Sequence, residues 1–183
     1  MAGIIRIEYF VLDTGPLLDF FVCLYDEQYH STWLSTVISP AVLKDETLKD
    51  GFRSFLNQHK GRLLTSSGVI AELQQHILRA EKRAHSQNHA AFYRRFWMLV
   101  QTEMRQLGFD EDTCRLVYMD TNMLTNLGPV DTSIIELAKQ NIGSYKKFIV
   151  LTSDDGVYER CIKEQVPVER TEDRIEKFII ESL

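Results

Sequence analysis

Four acidic residues in this chain stand where an α/β fold collects working groups. Asp13 ends an apolar run, Tyr9-Phe10-Val11-Leu12-Asp13, and Asp154 ends another, Phe148-Ile149-Val150-Leu151-Thr152-Ser153-Asp154. Glu72 falls in the helical stretch Val69-Ile70-Ala71-Glu72-Leu73, and Asp131 opens the helical stretch after Gly128-Pro129-Val130. Carboxylates gathered at one end of a sheet repel one another, and a hard divalent cation relieves that repulsion. A cation so held can activate water for attack on a phosphodiester. Taken singly, each acid has an ordinary role. Asp13 suits a turn, Glu72 a solvated helix face, and Asp131 and Asp154 helix starts.

The elements that must position these acids follow from apolar patterning. Strands are predicted over Ile4 to Leu12, Arg62 to Thr65, Lys147 to Leu151 and Val166 to Val168. The run from Lys147 has the nearly continuous apolar character of a strand buried in a parallel sheet. Helices are predicted from Pro16, over Lys44 to His59, after a capping Ser66 or Ser67, over Asn88 to Leu107, from Pro129 or Val130 to Asn141, over Gly156 to Glu164, and from Glu172. Cys114 to Leu127 reads as a short strand and a turn. Strands alternating with helices imply an α/β fold with a central parallel sheet and helices on both faces. In such sheets ligands bind beyond the carboxyl ends of the strands, where Asp13 and Asp154 fall.

The four motifs together resemble the PIN-domain family of metal-dependent nucleases. The resemblance rests on Val11-Leu12-Asp13-Thr14-Gly15-Pro16-Leu17-Leu18, Ser67-Gly68-Val69-Ile70-Ala71-Glu72-Leu73, Gly128-Pro129-Val130-Asp131-Thr132-Ser133-Ile134-Ile135 and Leu151-Thr152-Ser153-Asp154, in that order. It implies a single PIN-like domain over residues 1–183, a three-layer α/β/α sandwich, with a helical insertion between Glu72 and Asp131 at about 85–127. It implies that Asp13, Glu72, Asp131 and Asp154 bind Mg²⁺ or Mn²⁺ and carry catalysis, with Thr14 and Thr152 as supporting hydroxyls. The activity implied is cleavage of single-stranded RNA. A homodimer and an antitoxin partner are further expectations, since toxin ribonucleases of toxin–antitoxin pairs belong to the family. Two departures stand out: Asp155 follows the fourth acid where a basic residue is common, so Asp154 and Asp155 can exchange roles, and the chain is longer than the compact toxins.

The extra length is basic and aromatic. Between His76 and Arg95 the chain carries Arg79, Lys82, Arg83, Arg94 and Arg95 against the single acid Glu81. Arg79, Lys82 and Arg83 are candidates to steer an RNA backbone, because phosphate contacts supply affinity without sequence preference. Phe92, Phe96 and Leu99 form an apolar stripe that needs a cover, either the core or a second subunit. His85 and His89 are four apart but lack a third ligand in register for zinc. The competing Asp-Thr-Gly loop of aspartic proteases belongs to β-rich enzymes. Phosphatases of the haloacid-dehalogenase type need a second Asp where Gly15 stands, and receiver domains need an early acidic pair and a late lysine. A non-catalytic scaffold of the same fold is the alternative reading.

Composition sets the bounds. With 183 residues, 44% of them hydrophobic, the chain can build a full core, and its net charge of −5 argues against bulk nucleic-acid binding. Cys23, Cys114 and Cys161 are too few and too far apart for a disulfide framework or a C-x-x-C zinc site. Arg6, Glu8 and Asp13 interrupt the N-terminal apolar stretch, which speaks against a signal peptide. A cytoplasmic, non-membrane protein is the expectation.

Overall fold

The computed structural model describes residues 7–83, 89–112, 123, 125, 127–140 and 146–182. His85, Cys114, most of the stretch from Cys114 to Leu127, and the side chains of Arg83 and His89 lie outside that description. In chain order the elements are β1 (Ile7–Leu12), α1 (Thr14–Gln28), α2 (Trp33–Ile38), α3 (Glu46–Gln58), β2 (Leu63–Ser66), α4 (Ser67–Arg83), α5 (His89–Leu107) and β3 (Phe109–Asp112). They continue with α6 (Pro129–Lys139), β4 (Lys146–Thr152), α7 (Asp155–Lys163), β5 (Val168–Arg170) and α8 (Thr171–Ser182).

The five strands form one parallel sheet in the order β3-β2-β1-β4-β5, flanked by helices, as a three-layer α/β/α arrangement requires. β1 sits at the centre because its residues are apolar and buried toward the carboxyl end, where Phe10, Val11 and Leu12 have no exposed surface. Its register with β4 pairs Phe10 with Ile149 and Leu12 with Leu151. The chain leaves β1 to one side for β2 and comes back on the other side as β4. A crevice therefore opens beyond the carboxyl ends of β1 and β4, the usual ligand position in such sheets.

Two expectations change. The stretch 85–127 was expected to be a helical insertion, yet it also supplies a sheet strand: β3 pairs along β2, with Leu63 opposite Phe109 and Ser66 opposite Asp112. Its sequence, Phe-Asp-Glu-Asp, hides the strand because an edge strand keeps one side in water and tolerates charge. The Phe92, Phe96 and Leu99 stripe is not a free dimer contact. It is buried in this chain's own core, where Phe92 meets Tyr25 and Trp33 edge-on at centroid distances of 5.3 and 4.8 Å. α1 supplies the cover that the stripe demanded. The helix α2 had no clear signal in the sequence; it is six residues long and has Leu34 as its one buried residue. It is held by Asp26, whose buried carboxylate accepts hydrogen bonds from the Leu34 and Ser35 amides at 3.1 and 2.7 Å and from the Ser31 and Ser35 hydroxyls at 2.7 and 2.6 Å.

α3 and α8 pack closely because residue 51 is glycine. A Cβ there would lie 2.5 Å from Ile179 Cδ1 and 2.9 Å from Cγ2 of the fully buried Ile175. Relief of that clash outweighs the helix propensity that alanine adds. We expect Gly51→Ala to destabilise the fold by about 1–2 kcal/mol. Urea unfolding should show a lower midpoint with an unchanged slope; an unchanged midpoint would mean that Ile179 simply swings aside.

Candidate functional site

Asp13 is the first residue past β1 and is 5% exposed. Its extended backbone caps α1, and its Oδ1 accepts the Thr14 amide at 2.6 Å. The β1–β4 register sets Thr152 beside it, and the Thr152 hydroxyl donates to Asp13 Oδ2 at 2.6 Å. The same Thr152 oxygen accepts the Asp154 amide at 3.0 Å. Asp154 in turn caps α7, its Oδ1 accepting the Val157 amide at 2.9 Å. Gly156 leaves room for that carboxylate, since a Cβ at 156 would sit 3.1 Å from Asp154 Oδ1.

Glu72 enters from α4. It is half-buried, and its Oε2 accepts the Thr14 hydroxyl at 2.6 Å. Thr14 and Thr152 thus tie Asp13 to Glu72 on one side and to Asp154 on the other. Asp131 lies in the first turn of α6, half-buried. Burial and then the charges of Asp13, Asp154 and Glu72 push its pKa up to about 7. Asp13 is raised as well, mainly by burial, with Glu72 and Asp154 adding to it against the bonds from Thr152 and Thr14. The four acids therefore share one electrostatic environment.

Asp155 takes a different course. Its exposed carboxylate pairs with Arg170, which also donates to the Ser153 carbonyl at 3.2 Å and stacks over the Tyr158 ring at 4.3 Å. Asp154, not Asp155, is the acid whose charge acts on Asp13 and Asp131.

Several supporting contacts gave no signal in the sequence, although Ser66 by itself reads as a helix cap. Ser133 Oγ lies 2.8 Å from Ser66 Oγ, and Ser66 Oγ accepts the Val69 amide at 3.2 Å, so one hydroxyl pair joins α6 to the start of α4. Gly68 lets these helices approach, because a Cβ there would be 3.3 Å from Ser133 Oγ. Glu172 accepts the Ser153 hydroxyl at 3.0 Å and steadies the turn before Asp154. Asp19 is buried one turn along α1 and accepts the Val42 and Leu43 amides at 2.6 and 3.0 Å. Cys161 is buried near Asp13, and desolvation pushes its thiol up to about 12, which leaves it inert as a nucleophile.

Of the basic candidates, Arg79 and Lys82 are exposed on α4. Arg79 and His76 line a groove of about 230 Å³ whose other wall is Val37 and Ile38 of α2. Glu72, His76 and Arg79 are spaced i, i+4 and i+7, hence on one face of the helix.

Among the described residues, no three His, Cys, Asp or Glu side chains stand together as a ready-made ion-holding group. Asp13, Glu72 and the Asp154 amide are instead tied together through Thr14 and Thr152. The donor set nonetheless suits a hard cation: four carboxylates, two hydroxyls, and only like charges acting on Asp131. Among the described residues no helix is long and apolar enough to cross a membrane. Fold and site together define a parallel α/β protein with an acidic crevice at its topological switch point. No family model matches the chain, and no curated protein matches its sequence.

The raised Asp131 and Asp13 carboxyls bind protons that the unfolded chain has already released. Stability of the ion-free protein should therefore fall as pH rises from about 4, the ordinary carboxyl value, to the folded value of about 7. Asp131→Asn should remove part of that loss, raising Tm at pH 8 by about 2–4 °C for each kcal/mol recovered while changing little at pH 4. Thermal melts of both proteins across this range would check it; parallel curves would show that Asp131 is not under like-charge stress.

Proposed function

We propose that this chain is a PIN-like endoribonuclease that uses Mg²⁺ or Mn²⁺ to cleave single-stranded RNA. What carries the reading is the convergence of four carboxylates on the β1–β4 crevice, with Asp131 lifted to about 7 by burial and then by three neighbours of its own sign. Like charges assembled in a partly buried crevice cost stability, and a cation-dependent reaction is the use that offsets the cost.

Asp13, Glu72, Asp131 and Asp154 are the residues that would hold the ion. When bound, a divalent ion supplies an acidified water and positive charge for the phosphodiester. Thr152 and the Thr14 amide fix both oxygens of Asp13, so this ligand enters the reaction already oriented. The Thr14 hydroxyl holds Glu72 in the same way. Asp131 must give up its proton before it can act as a ligand, so affinity for the ion climbs toward pH 7 and levels off above it. Arg79, which lines a groove with His76 on the Glu72 face of α4, would hold a phosphate next to the one attacked. The single domain, the cytoplasmic setting and a toxin role under an antitoxin's control belong to the same proposal.

A second reading, a scaffold without turnover, is favoured by one observation: three of the four carboxylates, Asp13, Glu72 and Asp154, already have hydroxyl or amide partners. The two readings separate in a cleavage assay on labelled single-stranded RNA with Mn²⁺, Mg²⁺ or EDTA. The nuclease should cut with either metal and stop in EDTA, and Asp13→Asn should abolish cutting. Thr152→Val, which keeps the shape but loses the bond to Asp13, should weaken Mn²⁺ affinity roughly ten- to a hundredfold. An active Asp13→Asn protein would sink the assignment of the acids, and a wild type inert with both metals and silent to them in calorimetry would leave the scaffold.

A further inference from the structure

α1 links two chemically different regions of the molecule. Its first residue follows Asp13, while Tyr25 in its last turn and Tyr29 at its end border a groove of about 350 Å³. Trp33, Phe92 and Arg95 complete the aromatic and charged lining of this groove. Tyr25 and Phe92 are its buried floor, 7% and 8% exposed, whereas Tyr29 and Trp33 keep part of each ring in water. The exposed Arg95 holds its guanidinium 5.7 Å from the Tyr29 centroid. Among the described residues Arg95 makes no ion pair, and it is the one charged residue in the lining.

This combination has a particular chemistry. Ring faces accept a flat heteroaromatic group, and a neighbouring guanidinium accepts the anion attached to it. An apolar side chain would fill the groove but leave Arg95 idle; a nucleotide uses both. The groove lies roughly 22 Å from Asp13, the length of α1 at its helical rise, so it is too far away to hold the nucleotide being cut. α2 connects this groove to the one beside α4. Trp33 at its start lines this groove, and Val37 and Ile38 at its end line the one that holds His76 and Arg79, on the helix that carries Glu72.

We propose that the Tyr29, Trp33 and Arg95 groove is a base-stacking subsite for single-stranded nucleic acid, holding a nucleotide several positions away from the bond at the acidic crevice. The subsite itself stands on the groove; that the strand's other end meets the acids rests on the nuclease reading.

The test uses the full chain in EDTA, with fluorescence anisotropy of a labelled eight-nucleotide RNA strand of mixed sequence and of the same strand in a duplex. Arg95→Glu and Tyr29→Leu each leave the acids untouched, the first at an exposed position and the second with apolar cover kept. Each should weaken binding of the single strand about tenfold and change duplex binding little. Unchanged affinity in either variant, no binding by the wild type, or a loss shared equally by the duplex would overturn the subsite. Cutting of the same strand with Mn²⁺ is scored separately. Binding through the groove without any cutting would sink the nuclease reading alone, and cutting with both variants binding normally would sink the groove alone.

Discussion

The hydrogen bond from Thr152 to Asp13 is the constraint on which the rest of the site depends. It exists because β1 and β4 pair in parallel with Leu12 opposite Leu151, and that register is enforced by burial of the carboxyl-terminal halves of both strands, Phe10 to Leu12 and Phe148 to Thr152. Shifting the register by one residue would exchange these side chains between two differently packed buried faces, so the core, not the crevice, fixes where Asp13 and Thr152 meet. Once they meet, the rest follows locally. Thr152 receives the Asp154 amide, Asp154 starts α7, and Asp13 starts α1.

Three of the four carboxylates stand at helix starts: Asp13 before α1, Asp131 in the first turn of α6 and Asp154 before α7. Helix N-termini favour anions, and each capping bond satisfies an amide that would otherwise lack a partner. The fold thus lowers the cost of gathering negative charge by presenting the positive ends of three helices to one crevice. It does not cancel that cost. Among the described residues Asp131 accepts no capping hydrogen bond, and burial with its acidic neighbours raises it to about 7, whereas Asp154 is exposed and accepts the Val157 amide. The residual repulsion falls on Asp13 and Asp131, where a proton or a cation can relieve it.

Much of this arrangement was legible in the sequence because it depends on local signals. Apolar runs ending in Asp13 and Asp154 mark parallel strands with acids at their carboxyl ends, and Pro129 before Asp131 marks a helix start. Ser66 was readable as a cap and serves as one. What was hidden depends on pairing across the fold. Phe109-Asp110-Glu111-Asp112 carries no strand pattern until β2 lies beside it. The partnership of Arg170 with Asp155, which separates that acid from the four, joins residues whose proximity follows only from β5 pairing with β4. The Ser66–Ser133 contact spans 67 positions and two helices, so neither serine could announce it.

The long helix α5 shows how tertiary demand redistributes sequence features. Its strongest apolar signal, the Phe92, Phe96 and Leu99 stripe, is consumed by packing against α1 and leaves no interface. What remains outside is the opposite kind of surface: Arg94 and Arg95 in water, the latter beside the partly exposed rings of Tyr29 and Trp33. An acidic protein with a net charge of −5 repels polyanions as a whole. Any nucleic acid it takes must therefore come in along local positive features, and α4 and α5 carry them on the two sides of α2. The stretch that lengthens this chain thus serves the fold through its apolar face and through β3, and leaves its basic face free for a partner.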